Sequence, residues 1–236
     1  MELKIFYEKG KKMTKPYIIC HMMASIDGRI DCAMTAQLRG NAEYYQTLSE
    51  INVSSTLSGR VTAETEMGSR GNFQCSDPHP FGKVGFSKAA DAEGYEIITD
   101  TKGRLMWDDN EGSLKPFLVI TSEDASKEYL DYLTDQHISW IAAGKNKIDL
   151  KKAMDILGTE FDVKRLGIVG GAKINGGFLN AGLLDEISLV IGPGIDGREG
   201  MPGVFDGLPM NTPVTHLQLK SVKQYGDGAV WLRYSL

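Results

Sequence analysis

Apolar positions along the chain follow two rhythms. Continuous apolar runs of strand length recur at residues 17–23 (YIICHMM), 54–59, 95–100, 116–122, 138–143, 165–170 and 186–192. Between several of these runs, apolar residues recur at intervals of three and four, the spacing of one helix face. The clearest case is 149–158, where Asp149 is a candidate N-cap, Leu150, Ala153, Met154 and Leu157 make the stripe, and Gly158 is the expected stop. Residues 126–136 carry Tyr129, Leu130 and Leu133 on one side. Residues 173–181 carry Ile174, Phe178 and Ala181, with Gly182 just past the end. Strands alternating with helices of this size predict an α/β sheet with parallel crossovers. The tail, 214–236, reads instead as two strands around a Gly-Asp-Gly turn, an antiparallel hairpin that makes the sheet mixed.

Two regions fall outside these rhythms. Residues 67–94 hold glycines and Asp-Pro-His-Pro without a sustained period, and read as a surface excursion of functional length. Residues 1–12 have no place in the pattern. They are expected to be a dispensable extension before one domain spanning 13–236.

Composition narrows the partners. The 236 residues carry 26 Lys+Arg against 31 Asp+Glu, a formal charge of −5, with no basic block. That balance gives no electrostatic support to a nucleic-acid or membrane-surface partner. The three cysteines, Cys20, Cys32 and Cys75, are unpatterned, and no leader-like or membrane-length apolar run occurs, so a cytoplasmic, reduced protein is expected. No Cys-x-x-Cys or His-x-Glu ligand set is present and the four histidines are scattered, so no metal is expected. There is no Gly-x-Ser-x-Gly elbow. Gly177 precedes Phe178 instead of the Lys-Ser/Thr of a phosphate loop, and no Gly-x-Gly-x-x-Gly follows the first strand.

Four clusters lie at or just past the ends of predicted strands, where ligands bind in open α/β sheets. Gly170-Gly171 lies where a strand hands over to a helix; it is either a tight corner or bare backbone against which a pyrophosphate lies. Gly59-Arg60-Val61-Thr62 offers a guanidinium fork and a hydroxyl, or a solvated Arg and a helix cap. Thr121-Ser122 is a polar strand end or an N-cap. Ala24-Ser25-Ile26-Asp27-Gly28 is first of all a turn.

Taken in order, these pieces resemble the dihydrofolate-reductase-like superfamily, and more closely the pyrimidine reductase of riboflavin biosynthesis. That reductase is the C-terminal domain of a bifunctional deaminase–reductase and also occurs in stand-alone form. The resemblance rests on "MMASIDGRI", "GRVTAET" and "GIVGGAKINGGFLNAGLLDEISLVIGPGIDG", and spans about residues 17–234. It implies a mixed, mostly parallel sheet flanked by helices, NADPH as hydride donor, a homodimer and a phosphorylated small-molecule substrate. By motif, Arg60 with Thr121 and Ser122 is expected around the adenosine 2′-phosphate. Thr62, Gly170, Gly171, Ala172 and Lys173 are expected at the pyrophosphate, and Ala24 and Ser25 at the nicotinamide end. Ser25 and Glu66 are expected on the substrate side, and Asp27 is the candidate proton handler.

Three departures bear on the substrate. The zinc deaminase half is absent, Val169 stands where the family has a Glu before Gly-Gly, and Glu66-Met67 replaces an Asp-Pro step. Two alternatives therefore stay open: the same fold and cofactor acting on another small carbonyl, imine or pterin-like compound, and a nucleotide-binding module without turnover.

Overall fold

The computed structural model describes residues 15–67 and 69–236, so the expectation for residues 1–12 lies outside the described residues. In chain order the elements are β1 (Tyr17–Ala24), α1 (Cys32–Thr35), α2 (Asn41–Glu50), β2 (Ser55–Gly59), α3 (Arg60–Glu66), β3 (Gly85–Ser87) and β4 (Glu96–Thr99). Then come β5 (Phe117–Thr121), α4 (Lys127–Asp135), β6 (Ser139–Ala142), α5 (Leu150–Glu160) and β7 (Arg165–Ile168). The chain ends with α6 (Ala172–Asn180), β8 (Glu186–Ile191), β9 (Gln218–Gln224) and β10 (Val230–Ser235). These elements fall into two compact units, one built on Ser54–Lys164 and one on Tyr17–Val53 with Arg165–Leu236.

In the Ser54–Lys164 unit the strand order is β3-β6-β5-β4-β2. All neighbours are parallel except β3, which runs antiparallel to β6. The β5 strand is apolar through Leu118, Val119 and Ile120 because helices cover both faces of a parallel sheet. Helix α4 lays Tyr129, Leu130 and Leu133 against Ile98, Val119 and Trp140. Burying each such side chain stabilises the fold by about 1.5–3 kcal/mol.

In the other unit the order is β7-β1-β8-β10-β9. The first three strands are parallel, and β10 and β9 form the expected antiparallel hairpin. Seven of the eight residues of β1 are buried, as befits a strand with neighbours on both edges. Its core joins Ile19, Val190, Ala229 and Trp231 with Ile51 at the end of α2. Both units thus build the mixed, mostly parallel α/β arrangement that the pattern predicts.

The structure corrects several details. Gly158 does not stop α5; it is buried inside the helix, which runs to Glu160 before Asp162 takes a positive φ of 54°. The 67–94 segment is not all excursion, since it contributes β3 and packs Phe73 and Phe81 onto the core beside Tyr129 and Trp140. Helix α2 escapes the periodicity because Thr47 is its one buried residue among the ten.

Candidate functional site

Strand β7 ends at Ile168, and Val169-Gly170-Gly171 carries the chain into α6. Gly171 is the N-cap, at φ 94° and ψ 111°, and no side chain caps the helix. A positive φ of this size is strained for any residue with a Cβ, which would also come 3.2 Å from Ile174 Cγ1. Gly170 and Ala172 are buried, Gly171 is half-buried, and Lys173 is exposed. The first-turn N–H groups thus meet no capping side chain, at the positive end of the helix dipole and next to the exposed Lys173.

From its first residue, Ala172, α6 has the chain of residues 203–208 against it. Asn175 Nδ2 donates to Val204 O at 2.7 Å, and Asp206 N donates to Ala172 O at 3.1 Å. Gly176 is a glycine because a Cβ there would overlap the Asp206 carbonyl. This contact was not legible in the sequence, where Gly176 and Asp206 stand thirty positions apart.

In the same unit, the turn after β1 is tied to the loop after β8. Ser25 is buried, and its hydroxyl donates to Asp27 Oδ1 at 2.6 Å. The backbone N–H groups of Asp196 and Gly197 each donate to the Asp27 carboxylate at 3.0 Å, one to each oxygen. Ile26 N donates to Gly194 O at 2.8 Å, and Arg29 Nη1 to Met201 O. The Ser25 hydroxyl and then the two backbone N–H groups hold the Asp27 carboxyl well below the usual carboxylate range. Ala24, the last residue of β1, is fully buried beside it.

In the Ser54–Lys164 unit, β2 passes through Gly59 directly into α3. Arg60 and Thr62 in the first turn are half-buried, and the Arg60 guanidinium pairs with Glu64 one turn on. Glu66 is the last residue of that helix, and its side chain lies outside the described part of the structure. Thr121 and Ser122, at the end of β5, are 0% and 1% exposed. Their hydroxyls both donate to Thr101 O, at 3.2 and 2.8 Å, and Ser122 N donates to the same carbonyl. They join the end of β5 to the turn after β4, with their protons turned inward. Exposed cations follow β4 and β6 at this end of the parallel strands, Lys102 and Arg104 after β4 and Lys145 and Lys147 after β6, none singled out from the sequence. Their position just past a strand end was the available signal.

The histidines are dispersed, and two of them pair with surface carboxylates, His79 with Asp77 and His137 with Asp109. His137 Nδ1 meets Asp109 Oδ1 at 3.0 Å on the surface with Glu111 nearby, all three exposed. His21 is buried: its Nε2 lies 3.1 Å from Tyr44 O, and its Nδ1 2.9 Å from Ser188 Oγ, which also accepts from Trp231 Nε1. A carbonyl only accepts, so Nε2 carries the proton and Nδ1 accepts from Ser188. Burial pushes the His21 pKa down to about 4.

The family model described as the RibD C-terminal domain matches residues 16–231, nearly the whole chain. The chain belongs to the RibD C-terminal domain family. It is 27% identical over 220 residues to the 2,5-diamino-6-ribosylamino-4(3H)-pyrimidinone 5′-phosphate reductase of Aquifex aeolicus, covering 89% of this chain and 92% of that one. A protein of the same name from Archaeoglobus fulgidus is 22% identical, with 94% and 99% of the two chains covered. Among solved structures, a pyrimidine reductase-like protein of Corynebacterium diphtheriae superposes with a TM-score of 0.69 at 19% identity, over 93% of this chain and 91% of the other. That likeness speaks for the fold. Within this RibD C-terminal domain, Val169 occupies the half-buried position before Gly170-Gly171 and brings no polar group to it.

Proposed function

We propose that the chain is an NADPH-dependent reductase of riboflavin biosynthesis, converting the ribosyl group of a phosphorylated aminopyrimidine into a ribityl chain. Its carrying observation is the start of α6: a helix that opens on a positive-φ glycine, without a side-chain cap, beside Lys173. Such an end suits a pyrophosphate, whose oxygens take the unpaired N–H groups at the positive pole of the helix. Two relatives named as reductases of one aminopyrimidine phosphate supply the reaction class.

The bound nicotinamide supplies the hydride. The chain's own residues hold and orient. Gly170, Gly171, Ala172 and Lys173 grip the pyrophosphate, with Thr62 adding a hydroxyl. Ala24 and Ser25 bring backbone to the nicotinamide end, and Glu66 stands on the substrate side. Arg60 takes the 2′-phosphate, exchanging Glu64 for it. Thr121 and Ser122 serve that phosphate as a fixed wall, because their hydroxyl protons are already given to Thr101.

Thermal melting with NADPH and with NADH tests this reading. A ligand at 100 times its Kd stabilises by about 2.7 kcal/mol. The melting temperature should rise with NADPH and much less with NADH, and Arg60→Ala should erase most of that difference. Equal loss of both cofactors in the variant would remove Arg60 from the 2′-phosphate, and no shift with either would end the reductase reading.

The chain is also proposed to act as a homodimer in the cytoplasm. Supporting the dimer, one face of the hairpin strands and β8 carries Ile187, Leu189, Leu232, Tyr234, Leu219 and Val222 in register. Leu219 and Val222 on β9 are 58% and 56% exposed. An apolar face that ends on a strand with one open edge fits a second copy of itself. Light scattering should give twice the 25.9 kDa of one chain, and Val222→Lys should halve it. Cys32 and Cys75 are exposed and not disulfide-bonded, which accords with a reducing compartment, and no helix among the described residues is long and apolar enough to cross a membrane.

A further inference from the structure

The carboxylate of Asp27 accepts three hydrogen bonds. Oδ1 accepts from the Ser25 hydroxyl and from Asp196 N, and Oδ2 accepts from Gly197 N. Its three donors come from two separate pieces of chain, the turn after β1 and the loop after β8. The same two pieces are joined again on either side. Ile26 N donates to Gly194 O, Ile30 N to Pro202 O, and Arg29 forms a bridge with Gly203. Arg198 spans Asp31, at 2.8 Å, and Asp196. The charged groups facing Asp27 are therefore Arg29, with Nε at 3.9 Å, and Asp196, which is itself neutralised by Arg198.

We infer that Asp27 is a positioning residue: its ionised carboxylate fixes the loop at 194–197 against the turn at Ser25, and it supplies no proton to the reaction. The argument is geometric. A general acid must present a protonated oxygen within about 2.6–3.2 Å of the reacting group. Protonating Oδ1 would set an O–H against Asp196 N or force the Ser25 hydroxyl to turn away, and protonating Oδ2 would weaken the bond it accepts from Gly197 N. An acceptor-only carboxylate is the form that satisfies all three donors. Ser25, placed at the nicotinamide end under the proposed function, is then held by Asp27 through its own hydroxyl. Arg29 N donates to Ser25 Oγ from the other side, at 3.1 Å. The inference rests on the reductase reading for its kinetic consequence and on the loop contacts alone for its structural one.

Asp27→Asn tests both parts. The amide keeps one acceptor oxygen but sets an NH2 group against a backbone N–H. Amide hydrogen exchange of the cofactor-free protein should accelerate at least about tenfold at Asp196 and Gly197, while the α4 and α5 amides stay unchanged. Turnover should fall about tenfold, with KM for the aminopyrimidine substrate rising by a similar factor, and the pH profile of kcat should keep its wild-type limbs. Loss of a limb in Asp27→Asn would make Asp27 the acid and overturn the inference, as would unchanged exchange at 196–197. Should Asp27→Asn fail to fold, Ser25→Ala removes a single bond to the same carboxylate, and faster exchange at the two amides is again required. Absence of turnover in the wild-type protein would defeat the reductase reading and the kinetic part of the inference together. The exchange result distinguishes that failure from a missing clasp, since it needs no substrate.

Discussion

Helices α4 and α5 begin on side chains that close them, and α6 begins on one that cannot. Ser126 Oγ accepts from Tyr129 N, and Asp149 Oδ1 from Lys152 N, both at 3.1 Å. Each takes one of the orphan donors of a first turn. Gly171 offers α6 no such acceptor. A glycine at a helix start is not in itself a sign of a ligand, and α2 shows why. Gly40 also caps without a side chain and at positive φ, 100°, but a Cβ on it would lie 2.8 Å from Ala229 Cβ, with Met23 and Val190 behind. Packing requires that glycine. At Gly171 the absent Cβ would meet only Ile174 of its own helix, so packing against another element does not account for that glycine.

The strongest way to break the contrast is to fill the open end. Gly171→Val should weaken NADPH binding at least 100-fold, about 2.7 kcal/mol, by setting a branched side chain among the N–H groups. The positive φ adds about 1–3 kcal/mol of strain to the apo fold. The two effects separate in melting curves, since strain lowers the apo transition while the blocked site removes the NADPH shift. An undiminished shift in Gly171→Val would mean that the phosphates bind elsewhere.

The next largest effect concerns what holds α2, which has neither a side-chain cap nor an open site. His21 donates Nε2–H to Tyr44 O inside that helix and stacks on the Tyr44 ring at 4.7 Å. Its pKa is near 4 in the fold and about 6.5 in an unfolded chain, so the unfolded state takes up the proton first. Stability is therefore full above pH 6.5 and declines as pH falls toward 4, by roughly 3 kcal/mol for this group. Urea unfolding of the wild type and of His21→Gln across that range checks the sign. The wild type should show the steeper acid loss, and parallel curves would show that the buried imidazole is not its source.

These contacts mark where legibility in the sequence ends. Repeating local patterns could be read: β1, β5 and the stripe of α5 follow from runs and spacings, and Gly182 past α6 follows from its place, with φ at 65°. Gly170-Gly171 could be read as a strand–helix corner. Partners far apart in sequence could not. Thr121 and Ser122 read locally as a polar strand end or an N-cap, because nothing in their neighbourhood announces Thr101, twenty positions before Thr121. Asp27 read only as a turn residue and a candidate proton handler, because the amides that hold it come from Asp196 and Gly197. Helix α2 was missed because its one buried residue, Thr47, makes no stripe. Gly158 shows the converse: a local stop signal yields when the turn it sits in is buried with Ile156 and Leu157.

A smaller effect tests the packing account of Gly40. Gly40→Ala should cost about 2 kcal/mol, from the left-handed backbone and the close approach to Ala229, and leave NADPH binding unchanged. Weakened binding there would erase the distinction between a glycine kept for packing and one kept for a ligand.

The smallest effect completes the contrast at the capped end. Asp149 lies at φ −79° and ψ 95°, an extended N-cap whose backbone an alanine adopts without strain. Asp149→Ala therefore removes one acceptor and little else, leaving Lys152 N to water. Losses of this kind are about 1 kcal/mol, roughly 2–4 °C in melting temperature for a chain of this size. The cofactor shift should be untouched, because the α5 start already had its donor satisfied from within the chain. A capped helix start should thus respond in stability alone, and the open one in binding as well. If Asp149→Ala instead weakened NADPH as strongly as Gly171→Val, the closed and open helix starts would be equivalent, and the glycine corner would lose its claim on the cofactor.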